Sequence, residues 1–287
     1  TILNLTAYRD LGGFWNAAPD LFDEATNSQL VQANSNLSTL FSGQDFGQDV
    51  LTTVKPEWQL VVTRQEFRDG PDSPQIKLPA GALVFQLREP EKMRRSWKIT
   101  FQSLIGFLNI VGAMERRPPL EIDSTTRGAA QMVTTSYAPP SDEGVLRPGA
   151  IYYNFSPTMA TVGDRLILSS TRTLAEQLLD AKPTDAATGT NGAAGASGAK
   201  DDANGAAVVN GRLSFDFKSI RSALNDNRQQ LVSQNMLDKG HGREQAEREI
   251  GLLLNALGLI RSAALQIDSN ESRVQAELSL GLARPGE

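Results

Sequence analysis

A single histidine, His241, is the only imidazole in the chain. It stands between Gly240 and Gly242, in a turn, with no second histidine to complete a zinc site and no H-E-x-x-H helix. A Ser–His–Asp triad would have to use this residue, and no G-x-S-x-G elbow accompanies it. The spacing therefore predicts an exposed turn residue. Cysteine is absent, which excludes disulfides, thiolate nucleophiles and thiolate-bound zinc or iron–sulfur. Carboxylates are plentiful, but their spacing is that of helix decoration. Asp20, Asp23 and Glu24 would share one helical face, where acids near a helix start complement the backbone dipole. Glu244 with Arg248, and Arg243 with Glu247, are i,i+4 pairs for an exposed face. The run Gly192-Ala193-Ala194-Gly195-Ala196-Ser197-Gly198-Ala199-Lys200 lacks the Gly-Lys-[Ser/Thr] of a phosphate loop, and low complexity accounts for it. No G-x-G-x-x-G and no EF-hand loop is present. No residue is assigned a catalytic, cofactor-binding or metal-binding role, and no cofactor is implied.

Charge narrows the partners. Acidic residues outnumber basic ones by 33 to 28, and the net charge of -5 gives no global field for a phosphate backbone, so nucleic acid is not an expected partner. Ile99–Met114 is the one apolar stretch that invites a membrane reading. It is interrupted by Thr100, Gln102, Ser103 and Asn109 and is too short to cross roughly 30 Å of hydrocarbon, so a transmembrane chain is not expected. The opening residues Thr1–Thr6 carry no basic region and no long apolar stretch, so they do not read as a signal peptide; the chain opens without Met, as one whose leader was removed would. N-x-[ST] triplets at Asn4, Asn36, Asn154 and Asn270 carry no weight by themselves.

The elements that would carry any site alternate between period 2 and period 3.6. Leu3, Leu5 and Ala7 predict a strand; Leu30, Ala33, Leu37 and Leu40 a helix with Gly43 as C-cap; Asp45 and Gln48 a capping box opening a short helix. Trp58, Leu60, Val62 and then Leu83, Phe85, Leu87 predict partner strands around the loop through Gly70–Pro74. The most apolar helix has one stripe of Met93, Trp97, Phe101, Leu104, Leu108 and Val111, widened by Ile105, Phe107 and Ile110, and is stopped by Pro118-Pro119. Such a stripe could wall an apolar-ligand cavity, with Arg94-Arg95 and Arg116-Arg117 placed for an acidic head group; ordinary core is the simpler reading. Strands follow at Leu120–Ile122 and Met132–Tyr137. A hairpin of Ile151–Val162 and Arg165–Ser170 then turns on Gly163-Asp164 as type II′, and a helix through Leu174 and Leu179 follows. Pro183–Ala207 has no large apolar residue and predicts a flexible linker. Beyond it come a strand of Leu213, Phe215 and Phe217, one helix with Ile220, Leu224 and Leu231, a turn at Lys239–Gly242, and a helix of Ala246, Ile250, Leu253, Leu254 and Leu257 capped by Gly258. Strands at Leu265–Ile267 and Val274–Leu282 finish the chain, joined by Asp268–Glu271.

These elements give an α+β fold, with antiparallel sheets and long amphipathic helices on one face. The organisation expected is an α+β segment over 1–182, a linker over 183–207 and a βααββ segment over 208–287 that packs on the first. Strand, helix, helix, strand, strand recurs at Ile2–Leu87 and Leu213–Leu282, which points to an internal pseudo-repeat.

Three stretches carry a family resemblance: Phe46-Gly47-Gln48-Asp49-Val50-Leu51 leading into Trp58–Val62, Val162–Ser170 followed by a helix with Leu174, and the strand–helix–helix run Leu213–Leu257. In these the chain resembles an uncharacterised family of bacterial exported proteins, a domain of unknown function. The resemblance implies a periplasmic or secreted location and repeated α+β modules, and brings no catalytic residues. The expected function is a non-enzymatic extracytoplasmic binding or structural module acting on a protein or small ligand. The alternatives are a carboxylate- or metal-dependent hydrolase without a recognisable motif, and an apolar-ligand carrier.

Overall fold

The computed structural model describes the chain except for residues 42, 69, 71–72, 139–148, 182–207, 271–272 and 284–287. The expected linker over 183–207 and the glycine-rich run inside it therefore lie outside the described residues, as do parts of the Gly70–Pro74 loop and the tip of the Asp268–Glu271 turn.

The fold is α+β, built on one ten-stranded antiparallel sheet. In chain order its strands are β1 (Leu3–Tyr8), β2 (Val54–Thr63), β3 (Ala80–Leu87), β4 (Leu120–Arg127), β5 (Ala130–Tyr137), β6 (Thr158–Val162), β7 (Arg165–Ser169), β8 (Val208–Asp216), β9 (Ile260–Asn270) and β10 (Arg273–Leu282). Across the sheet they run β10-β9-β8-β1-β2-β3-β7-β6-β5-β4. Each end of the chain opens with a strand, inserts helices, then adds two antiparallel strands outward, and the two opening strands pair antiparallel, Leu3 opposite Phe215 and Leu5 opposite Leu213.

Strand alternation divides the core between the two faces. On β3, Leu87 joins one cluster and Ala80, Ala82 and Val84 the other. The first cluster is closed by α4 (Pro90–Met114), whose Trp97, Phe101 and Ile105 pack with Val133, Met159 and Leu166. Phe41, at the end of α3 (Glu24–Leu40), meets Trp97 edge-on, with ring centroids 5.2 Å apart. Before it, α1 (Leu11–Asn16) and α2 (Ala18–Leu21) lead from β1 into α3. The second cluster is closed by α5 (Arg172–Asp180) through Leu174, Ala175 and Leu178, with the Thr171 hydroxyl accepting from the Leu174 N–H at its N-cap. A third cluster belongs to helices alone: Val232 of α7 (Arg228–Lys239) with Ala246, Ile250 and Leu254 of α8 (Arg243–Leu257), flanked by Leu224 of α6 (Phe217–Asp226).

Four local expectations change. The hairpin strand expected from Ile151 starts only at Thr158, because Ile151–Asn154 is a 3₁₀ turn held by the Asn154 amide donating to the Ile151 carbonyl. The segment after Asp45 is a π turn, Phe46–Val50, followed by a 3₁₀ turn, Leu51–Thr53. Thr52 and Thr53 hydroxyls donate back to the Gln48 and Val50 carbonyls and compete with the regular ladder. Asp45 caps the Gln48 N–H as read, but the reciprocal bond comes from the Asp49 carboxylate, which accepts from the Asp45 N–H. Phe217 is helical because Asp216 accepts from the Ser219 N–H and starts α6 there. The single helix expected over Ile220–Leu231 breaks at Asn227, whose side-chain amide accepts from the Lys77 N–H at 2.7 Å and donates to the Lys77 carbonyl at 2.8 Å. Gly163 sits at φ +57 while Asp164 keeps a negative φ, which is the type II′ pattern expected of that turn.

Candidate functional site

An open cleft among the described residues starts from a proline. Pro56 has no N–H for a ladder, and β2 bulges around it. Val54 pairs with Leu87 and Trp58 with Phe85, so Lys55, Pro56 and Glu57 together face the single residue Gln86. On the other side Glu57 pairs with Tyr8 at the end of β1, and the Pro56 carbonyl accepts from the Arg9 N–H at 2.8 Å. The bulge opens a cleft of about 400 Å³ lined by Tyr8, Lys55, Pro56, Glu57, Gln86 and Arg88. Lys55 Nζ reaches Asp164 Oδ2 at 2.6 Å, and Arg88 donates from Nε to the Thr52 carbonyl at 3.1 Å.

The lining brings one carboxylate, two cations, a phenol and an amide together. Glycoside hydrolysis needs two carboxylates across a bond, and metal-assisted hydrolysis needs a ligand set. Glu57 is the only carboxylate in this lining, and among the described residues no three His, Asp or Glu side chains gather as metal ligands. The arrangement suits holding a polar group in place. Its sequence signal was Pro56 inside a strand pattern, which marks a bulge; nothing in composition marks Tyr8, Gln86 or Arg88.

The residues singled out by sequence are dispersed. Asp20 lies in α2, whereas Asp23 is the N-cap of α3 and accepts from the Thr26 N–H at 2.8 Å, a bond that holds its carboxyl below the usual range. The three acids therefore do not share a helix. Arg243–Glu247 and Glu244–Arg248 pair at 2.8 and 2.7 Å as their spacing required. Arg94 donates to the Gly163 carbonyl at 2.8 Å and Arg117 pairs with Glu115, so these cations serve the ends of α4. Met93 to Met114 splits: Trp97, Phe101 and Ile105 are core, while Phe107, Ile110 and Met114 are exposed. Asn154, one of the four N-x-[ST] asparagines, is buried and hydrogen-bonded to backbone, so it cannot accept a glycan in the folded chain.

His241 belongs to a cluster around Glu249. Lys239 Nζ donates to Glu249 Oε2 at 2.7 Å, Asn235 Nδ2 to the same oxygen at 3.1 Å, and His241 Nδ1 lies 3.1 Å from Oε1 without hydrogen-bond alignment. The Lys239 bond, then the Asn235 bond, pull the Glu249 carboxyl down to about 2. These groups tie the end of α7 to α8 across the αL residue Gly240, at φ +67, which is a structural clasp. A carboxyl whose folded pKa is lowered contributes stability above its ordinary value of 4.5 and loses it as pH falls towards about 2. The thermal midpoint should therefore drop across that window, and Glu249→Gln should flatten the drop while lowering the midpoint at pH 7. Parallel melts of the two proteins between pH 7 and pH 2 test this; identical acid limbs would remove the clasp.

Compared with protein-family models, with curated proteins and with solved structures, the chain matches none. Among the described residues no helix is long and apolar enough to cross a membrane.

Proposed function

We infer that this chain is a non-enzymatic binding or structural module acting outside the cytoplasm, on a protein or small-ligand partner. The observation that carries the reading is where the accessible apolar side chains stand. Ile110, Met114, Leu278 and Leu282 are 67%, 82%, 67% and 72% exposed, on a helix and a strand whose other residues are ordered by packing or pairing. Exposed apolar groups in rows mark contact surfaces more often than reaction centres. The extracytoplasmic part rests on the resemblance of Phe46–Leu51, Val162–Ser170 and Leu213–Leu257 to the exported family.

A hydrolase remains the second reading, because the cleft beside Pro56 has the volume for a small substrate and places Glu57 near Tyr8 and Lys55. An apolar-ligand carrier has less support, since Trp97, Phe101 and Ile105 fill the space beneath α4. A broad hydrolase panel, run with and without divalent metal ions, separates binding from catalysis. The expected result is turnover indistinguishable from buffer. Reproducible turnover lost in Glu57→Gln, with the fold intact by circular dichroism, would replace this reading with the hydrolase.

A further inference from the structure

The two edges of the sheet are built differently. A strand edge presents unpaired N–H and C=O groups, and proteins usually blunt it with charge, brevity or cover. Edge strand β4 carries Glu121, Asp123 and Arg127, and its first residue is clamped by Asn109 of α4, which accepts from the Leu120 N–H at 2.7 Å and donates to the Leu120 carbonyl at 2.9 Å. Edge strand β10 carries charge only at Arg273 and Glu277, and among the described residues no side chain from a helix clamps it as Asn109 clamps β4. Its face through Val274, Ala276, Leu278, Leu280 and Leu282 is apolar, and Val274, Leu278, Leu280 and Leu282 are 63–73% exposed. Its register with β9 puts Leu278 opposite Leu265 and Ala276 opposite Ile267. The same face continues through Leu213 opposite Leu265, and Leu5 opposite Leu213. An apolar ladder thus crosses half the sheet and ends at an open strand. Leu259, also exposed, accepts from the Ala283 N–H at 3.0 Å and adjoins the end of that ladder.

We propose that two copies of this chain pair β10 with β10, antiparallel about Leu278, so that their sheets run on as one. The strand is complementary to itself in that register. On the apolar face Leu278 meets Leu278, Ala276 meets Leu280 and Val274 meets Leu282; on the other face Glu277 meets Ser279 and Gln275 meets Gly281. Other registers are worse. A two-fold at Glu277 sets two carboxylates directly opposite each other, which is repulsive. A two-fold at Gln275 pairs Arg273 with Glu277 but leaves Leu278–Leu282 beyond the partner strand, and two-folds at Ala276, Ser279 or Leu280 pair a shorter stretch than one at Leu278. A slip by one residue turns the apolar face of one copy onto the polar face of the other. The two-fold closes the assembly as a dimer, because pairing consumes the same edge on both copies.

The chain has no cysteine, so a single introduced one reports the register directly. In Leu278→Cys the two thiols face each other across the two-fold, and mild oxidant should convert most of the protein to a covalent dimer. Gln275→Cys, whose partner across the two-fold is Gly281, should link far less. Sedimentation equilibrium of the unmodified chain should show a monomer–dimer equilibrium. Leu278→Lys, which sets two ammonium groups together at an exposed position, should weaken it about tenfold or more while leaving the thermal midpoint unchanged at dilutions where both proteins are monomeric. A monomer at every concentration, equal crosslinking at both cysteines, or open-ended oligomers would each overturn the proposal.

Discussion

Asn154→Ala should destabilise the fold by about 2–4 kcal/mol, because one buried side chain satisfies three backbone groups. Asn154 is 1% exposed, and its amide donates to the carbonyls of Ile76 and Ile151, both at 2.8 Å. Its Oδ1 accepts from the Leu78 N–H at 2.7 Å. These bonds hold the long β2–β3 connection onto the 3₁₀ turn Ile151–Asn154, and Gln65 adds to the junction by donating to the carbonyls of Leu78 and Asn154. Removing the amide leaves two carbonyls and one N–H without this partner, each at a net cost of about 0.5–1.5 kcal/mol. Asn154→Asp is the informative companion. Its carboxylate still accepts from Leu78 but cannot donate to Ile76 or Ile151 and adds a buried charge, so it should be no milder than alanine. Denaturant unfolding of the three proteins measures this, and a loss below about 1 kcal/mol for Asn154→Ala would show that the loop is held by other contacts.

Ile105→Ala should cost about 2–5 kcal/mol and Ile110→Ala less than about 0.5 kcal/mol, although both isoleucines lie on the same helix. Ile105 is fully buried among Trp97, Phe101, Leu120 and Val133, so truncation leaves a cavity in a close-packed region. Ile110 is 67% exposed and loses little when shortened. Equal losses at the two positions would mean that the outer side of α4 is covered in solution. The division follows from geometry. Residues 97, 101 and 105 advance along one side of the helix, and continuing that line reaches Asn109 and Gly112. Asn109 is where the helix hydrogen-bonds to the first residue of β4. The apolar band read from sequence was wider than the strip the sheet could cover, and Leu104 and Leu108 fell outside it.

Legibility followed the range of the interactions. Strand and helix identities were readable wherever one face is apolar, as in β1, β3, α5 and α8, because periodicity is a local property of the chain. Caps were readable for the same reason: Asp45 and Gly163 act on neighbours within four residues. The break at Asn227 was not, since its cause is Lys77, far away in the chain. Nor was the cleft, which needs Pro56 to bulge β2 and then borrows Tyr8 from β1 and Gln86 from β3. His241 lies in the connection between α7 and α8 but is partly buried rather than exposed as its spacing predicted, because Glu249 of α8 folds back beside it.

By itself, then, the order of residues determined the α+β class, the absence of thiol chemistry and of any histidine-pair metal site, and the alternation that gives β10 one apolar face. Those are matters of composition and of spacing within one element, and no folding partner can alter them. Tertiary structure alone decided that β8 pairs with β1, so that strands from both ends of the chain lie in one sheet. It also decided that β10, rather than some interior position, became an edge. Pairing order depends on which apolar faces find each other across long stretches of chain. Many strands here share the same period-2 pattern, and that pattern carries the preference for a face but not the identity of the neighbour.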